Sequence, residues 1–161
     1  MKSCMEIMLT RRSVKKYKDT LPSPKDIDKI IEAGLAAASG RNMQASVIVA
    51  VTNKEIRDRL SEANAAVMDA NADPFYGAPC VLVVLAEKTA HTYLYDGSLT
   101  LGNMMLAAHE LGLGSCWIHR AKEVMALPEW QEWIASLSGT SETRSLSSSS
   151  PVSGLPFSVE R

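Results

Sequence analysis

"YDGSLTLGNMMLAAHELGLGSCWI", residues Tyr95 to Ile118, is the stretch on which the fold assignment turns. Tyr95 to Leu111 carry the longest helical signal in the chain, and their apolar members run nearly all the way round. A helix on a protein surface needs only one apolar stripe, so one this apolar is either central and buried or covered by a second subunit. Gly112 and Gly114 then stop it, and "SCWI", Ser115 to Ile118, reads as a short strand.

Working outward, "SVIVAV" (Ser46–Val51) and "CVLVVLA" (Cys80–Ala86) are apolar runs of strand length, rich in β-branched residues. Between them Asn53 is placed to cap a helix over "KEIRDRLSEANAAVMDA", and "NADPFYGAP" is rich in turn formers. Upstream, Ser23 and Pro24 mark the N-cap and first residue of a helix whose Ile27, Ile30, Ile31 and Leu35 share one stripe. That helix ends in a loop near Gly40, and Ser3 to Leu9 form a short helix with Met5, Met8 and Leu9 on one face. Downstream, short helices are expected at Ala121–Ala126 and at Glu129–Leu137, the second opened by Pro128. The strands are few, separated by helices, and not joined by simple βαβ spacing, which indicates an α+β domain. No internal repeat is visible.

From about Ser136 the character changes to "SLSGTSETRSLSSSSPVSGLPFSVER". The expected division is therefore a folded domain over residues 1–137 and a Ser-rich tail over 138–161, disordered or poorly packed by composition. Serine codons of the TCN type, read one nucleotide out of register, become NTC codons for Val, Ile, Leu or Phe. A frameshift in a strand-coding segment would leave this composition.

The 161 residues fit one domain. The formal charge of -1 argues against a nucleic-acid binder, because there is no basic excess to displace counterions from phosphates. Cys4, Cys80 and Cys116 are odd in number and widely spaced, and His91, His109 and His119 lack ligand spacing. These point to neither a disulfide framework nor a metal site, and suggest a reducing compartment. Without a leader-like start or a membrane-length apolar run, the expected location is the cytoplasm, with no membrane partner.

Three polar clusters remain. "RRSVKKY", Arg11 to Tyr17, places Arg11, Arg12, Lys15 and Lys16 around one hydroxyl, Ser13. Such a run is either a solvated face or an anion site, since arginine's fork of donors suits phosphate oxygens. "SGRNMQ", Ser39 to Gln44, is either a plain helix-ending loop or a loop offering Asn42 and Gln44 to a flat heterocycle. "LGLGSCWIHR" is either a buried strand packing Trp117 or a strand end presenting backbone N–H groups to a ligand. No Walker A, GxGxxG or GxSxG motif accompanies them.

In order and spacing the clusters resemble the nitroreductase family of FMN-dependent oxidoreductases. The matches are "RRSVKKY", "SGRNMQ", "FYGAPCVLVV", and a helix with Asp96 and Asn103–Met104 that ends in "LGLG", together spanning about Met5 to Leu137. The resemblance implies a nitroreductase-like α+β fold, with a mixed central sheet flanked by helices in an intertwined homodimer. It implies FMN as cofactor, NADH or NADPH as reductant, and a nitroaromatic or quinone-like small molecule as acceptor in a ping-pong reaction. Arg11, Arg12 and Ser13 would meet the phosphate and ribityl end, and Lys15 the N1–O2 edge of the flavin. Asn42 and Gln44 would meet the ribityl chain or pyrimidine, and the backbone around Trp117, Ile118 and His119 would lie near N5. No catalytic side chain is required, because the flavin carries the chemistry. The alternative is a flavin-binding protein without turnover.

The resemblance lapses after Leu137. The family's later strand and basic phosphate ligand have no counterpart near Arg144 or Arg161. If the tail is unrelated to the family, the sheet is expected to lack an edge strand, and FMN one ligand.

Overall fold

The computed structural model describes residues 3–137 and the backbone of residues 155–160. Helix α1 (Cys4–Thr10) is followed by α2 (Pro24–Leu35), a 3-10 turn (Gly40–Asn42), strand β1 (Ser46–Val51) and α3 (Lys54–Val67). Then come β2 (Val81–Ala86), α4 (Tyr93–Glu110), β3 (Gly114–Trp117), α5 (Ala121–Val124), α6 (Pro128–Leu137) and β4 (Leu155–Glu160).

Local chemistry sets the helix starts. The side chains of Ser3, Ser23 and Asn53 each accept from the backbone N–H three residues on, at 3.2, 3.1 and 3.1 Å. Each satisfies one of the donors that a helix N-terminus leaves open. Pro24 takes the first position of α2, where a missing N–H does no harm.

The strand order is β1-β2-β4-β3, and all three ladders are antiparallel. The mixed character expected of the sheet comes from one parallel bridge, Ser13 to Ser115, at the β3 edge. All six residues of β2 are buried, because both faces of the sheet are covered. Val81, Val83 and Leu85 join Leu60, Phe75, Val124, Met125 and Trp130 on the side of α3, α5 and α6. Leu82 and Val84 join Ile27, Ile30, Leu101, Met104 and Ala108 on the side of α2 and α4. Double coverage is why β2 reads as a continuous apolar run without the alternation of a half-exposed strand.

One expectation is corrected here. Part of the terminal segment does enter the sheet, and it does so in the interior, with β4 pairing to β2 on one side and β3 on the other. β2 and β3 are not neighbours, so without this strand their facing N–H and C=O groups would lie unpaired. "LPFSVE" carries Leu155, Phe157 and Val159 at the two-residue period of a strand, a signal masked by the serines before it. Residues 138–154, with Arg144, and also Arg161, lie outside the described residues.

The long apolar helix is central, as its composition requires, but only on one side. α4 buries Asp96, Gly97, Thr100, Leu101, Met104 and Ala108, while Tyr95 and Leu99 stand 72% and 51% exposed. Met5, Met8 and Leu9 of α1 are exposed as well. Among the described residues, no helix is long and apolar enough to cross a membrane.

Candidate functional site

After α1 the chain runs in extended form, and the Val14 amide donates to the Ser115 carbonyl at 3.0 Å. That bond, with the Ser13–Ser115 bridge, lays the basic stretch along β3. Two of the three clusters, far apart in sequence, thereby become one surface.

The buried thiol of Cys116 reports who gathers there. Burial pushes it up, against the pull of the Lys15 ammonium, a hydrogen bond with Ser13 and the Arg11 guanidinium. Arg11, Ser13 and Lys15 are thus near enough to β3 to act on this thiol. Cys80 lies deeper, its thiol pushed up to about 12 by burial, so neither cysteine is poised as a nucleophile.

Arg11 carries the most informative feature. Its Nη1 is buried without a hydrogen-bond partner, and so is the Oγ of Ser115 on β3. Buried polar groups are nearly always satisfied, and a guanidinium N–H without an acceptor is costly. The unmet Arg11 donor suits a ligand bringing anionic or hydroxyl oxygens. Arg12 is disposed differently: its Nη1 turns back to the Leu9 and Arg11 carbonyls at 2.9 and 2.8 Å, closing the end of α1. Lys15 places its ammonium 5.6 Å from the Tyr76 ring centroid, and Lys16 is exposed.

The loop holding Asn42 and Gln44 is shaped by backbone rather than composition. Arg41, Asn42 and Gln44 all have left-handed φ, at 54°, 57° and 49°, a region that non-glycine residues occupy only when the surroundings enforce it. Here the Gln44 amide donates to Ser39 Oγ at 2.9 Å, and Gln44 Nε2 donates to Asn42 Oδ1 at 3.1 Å. The loop is fastened to α4, where Asp96 accepts from the Gly40 amide at 3.0 Å and from the Thr92 hydroxyl at 2.9 Å. Two turns further along α4, Asn103 Nδ2 donates to the Ala33 carbonyl of α2 at 3.1 Å. Asp96 and Asn103, prominent in the sequence pattern, are fasteners of the scaffold.

At the far end of β3, Trp117 is 43% exposed and Ile118 is buried. His119 is exposed, and its carbonyl accepts from Asn64 Nδ2 of α3 at 3.1 Å. Arg120 follows with φ 81° and starts α5. Asn64 supports this end of the site from α3, and an Asn within a helix carries no sequence signal of that role; Tyr76, which Lys15 meets, lies in the matched "FYGAP" stretch, where nothing pairs it with a cation. Among the described residues, no group of three or more His, Cys, Asp or Glu side chains is placed to hold a metal ion.

Comparison with known proteins bears on the family and the fold. The family model described as "Nitroreductase family" matches residues 8–130, 123 of the 161. An Archaeoglobus fulgidus protein, provisionally described as an NADH dehydrogenase/NAD(P)H nitroreductase, is 31% identical over 143 residues, covering 80% of this chain and 79% of its own length. The NADPH-flavin oxidoreductase of Vibrio harveyi is 29% identical over 149 residues, covering 80% of this chain and 61% of its own. In three dimensions, a Bacteroides fragilis nitroreductase with bound FMN superposes with a TM-score of 0.81 at 26% identity, over 99% of this chain and 88% of that one. With the family model covering about three quarters of its length, and a relative above 30% identity, this chain belongs to the Nitroreductase family.

Proposed function

We propose that the protein is a cytoplasmic, homodimeric, FMN-dependent oxidoreductase that takes hydride from NADH or NADPH and reduces nitroaromatic or quinone-like acceptors by a ping-pong mechanism. The observation that carries this reading is the buried, unpartnered Nη1 of Arg11 beside Ser13 and Lys15 on β3. FMN, when bound, supplies the hydride chemistry, and its phosphate supplies the acceptor oxygens that this corner lacks.

In this reading Arg11 and Ser13 bind the phosphate and ribityl end. Arg12 adds positive charge there while its Nη1 holds the end of α1. Lys15 lies towards the pyrimidine edge, where a cation stabilises the charge that reduction places on the ring. Asn42 and Gln44 orient the ribityl chain or pyrimidine. The backbone from Trp117 through Ile118 to His119 lines the redox centre, steadied from α3 by Asn64. No side chain need act as acid or base. The exposed apolar residues of α1 and α4, including Met5, Met8, Tyr95 and Leu99, support a second copy as their cover. Sedimentation velocity tests that point, and a monomer at micromolar concentration would count against it.

The deciding experiment is optical. Freshly purified protein, or protein reconstituted with FMN, is expected to show the bands of oxidised flavin. They should bleach anaerobically on addition of NADH or NADPH and return on addition of a quinone. A colourless protein that cannot be reconstituted refutes the reading. Bound flavin that neither nucleotide reduces would leave a flavin binder without turnover.

A further inference from the structure

Tyr76 is a residue that the proposed chemistry has not used. Its φ is 56°, in the left-handed region where a bulky side chain sits only under constraint. The source of the constraint is Asp73, which accepts from the Ser61 hydroxyl at 2.6 Å and from the Phe75 and Gly77 amides at 2.9 and 2.7 Å. Asp73 also pairs with the Arg57 guanidinium, whose Nε donates to the Ala78 carbonyl at 2.8 Å. One carboxylate and one guanidinium thus fasten the 73–78 turn to α3. The turn buries Phe75 completely and holds Tyr76 40% exposed, with the Lys15 ammonium 5.6 Å from its ring centroid. Core packing does not require an exposed ring held in a strained conformation.

We propose that Tyr76 is a positioning residue whose ring face aims the Lys15 ammonium at the pyrimidine edge of the flavin and thereby raises the flavin's affinity for electrons. The proposal rests on the function given above and adds the element that orients its cation. A lysine is a point charge on a flexible four-carbon stem, and the negative face of an aromatic ring gives that charge a preferred place. A charge placed before reduction needs no reorganisation when negative charge appears on the flavin.

Two substitutions test it. Tyr76→Leu removes the ring face, and Tyr76→Phe keeps it. In flavin-free protein, NMR is expected to show the Lys15 ε-methylene protons shifted upfield by the ring in wild type and Tyr76→Phe, but not in Tyr76→Leu. With FMN bound, Tyr76→Leu is expected to weaken the preference for reduced over oxidised flavin about threefold, a midpoint potential lower by about 14 mV at about 30 mV per tenfold. Tyr76→Phe should keep the wild-type value, and in a Lys15→Ala background Tyr76→Leu should cause no further change. An unchanged potential in Tyr76→Leu, an equal drop in both backgrounds, or no ring-current shift in wild type overturns the proposal alone. A wild-type protein that shows the ring-current shift but takes up no FMN overturns the flavin function and the redox role together.

Discussion

Replacing Gly40 by Ala probes the joint between the 39–44 loop and α4. A Cβ built on Gly40 comes within 2.1 Å of Thr92 Oγ1, 2.8 Å of its Cγ2 and 2.9 Å of its Cβ. Here glycine is needed for close approach, since its φ is not in the left-handed region. Thr92 is β-branched with restricted rotamers, and its hydroxyl donates to the same Asp96 carboxylate that accepts from the Gly40 amide. The new methyl must either turn the Thr92 hydroxyl off the carboxylate or lift the loop off its anchor. Overpacking costs about 1–3 kcal/mol and a hydrogen bond to a charged group is worth about 1.5–3, so with partial relaxation the expected loss is about 3 kcal/mol. At about 2–4 °C per kcal/mol for a chain of this size, the melting temperature falls by about 6–12 °C. Thr92→Ala is the matched control, because it removes two of the three clashing atoms. In that background Gly40→Ala should cost less than about 1.5 kcal/mol, leaving a coupling of at least about 1.5 kcal/mol in the double-mutant cycle. Urea and thermal unfolding followed by far-UV circular dichroism measure all four proteins. A cost for Gly40→Ala that is the same in both backgrounds would refute the steric argument. A loss within about 0.5 kcal/mol of zero, the range of a neutral surface change, would refute it as well. Because the loop carries Asn42 and Gln44, the single variant should also retain less FMN.

Three further expectations are simpler. Arg11→Ala should weaken FMN binding roughly ten- to a hundred-fold, the worth of one charge-assisted contact of about 1.5–3 kcal/mol; Lys16→Ala should change it little, and equal retention in titration calorimetry would count against the phosphate assignment. Asn53→Ala removes the α3 cap and should cost about 1 kcal/mol in urea unfolding, with no loss if water replaces the cap at no cost. Burial of Asp73 opposes its ionisation, but the hydrogen bonds from Ser61, Arg57, Phe75 and Gly77 outweigh it and hold its carboxyl below the usual range. A depressed native value means this group stabilises the fold fully above about pH 4, the ordinary Asp range, and the contribution disappears as pH falls through the native value. Melting temperatures between pH 6 and pH 3 should therefore fall more steeply in wild type than in Asp73→Asn, and parallel profiles would remove Asp73 from the account.

Much of the architecture was legible because it is local. Ser23–Pro24 and Asn53 announce helices through capping chemistry that acts within four residues, and the structure starts α2 and α3 at those caps. The runs at Ser46–Val51 and Val81–Ala86 become strands because β-branched apolar side chains suit a covered sheet. The terminal strand was not legible as part of the sheet. Its six residues follow a long serine run, and nothing short-range indicates that β2 and β3 need a strand between them. The stripe expected of α2 held at Ile27 and Ile30 but not at Leu35, which is 48% exposed at the helix end. Of the candidate site, the residue types were visible and their company was not: Arg12 and Lys15 look alike in the sequence, yet one folds back on α1 and the other meets Tyr76.

By itself the sequence determined the helices, three of the strands, the cationic stretch and the family, since each rests on a pattern of neighbours or on the order of motifs along the chain. Only the tertiary structure decided that the cationic stretch lies against β3, that Asp96 and Asn103 fasten the scaffold, and that Arg11 keeps a buried donor without an acceptor. The physical reason is range. Capping and periodicity act over a few residues. Burial, and with it the cost of an unmet hydrogen bond, exists only once distant segments have closed around a group and taken its water away.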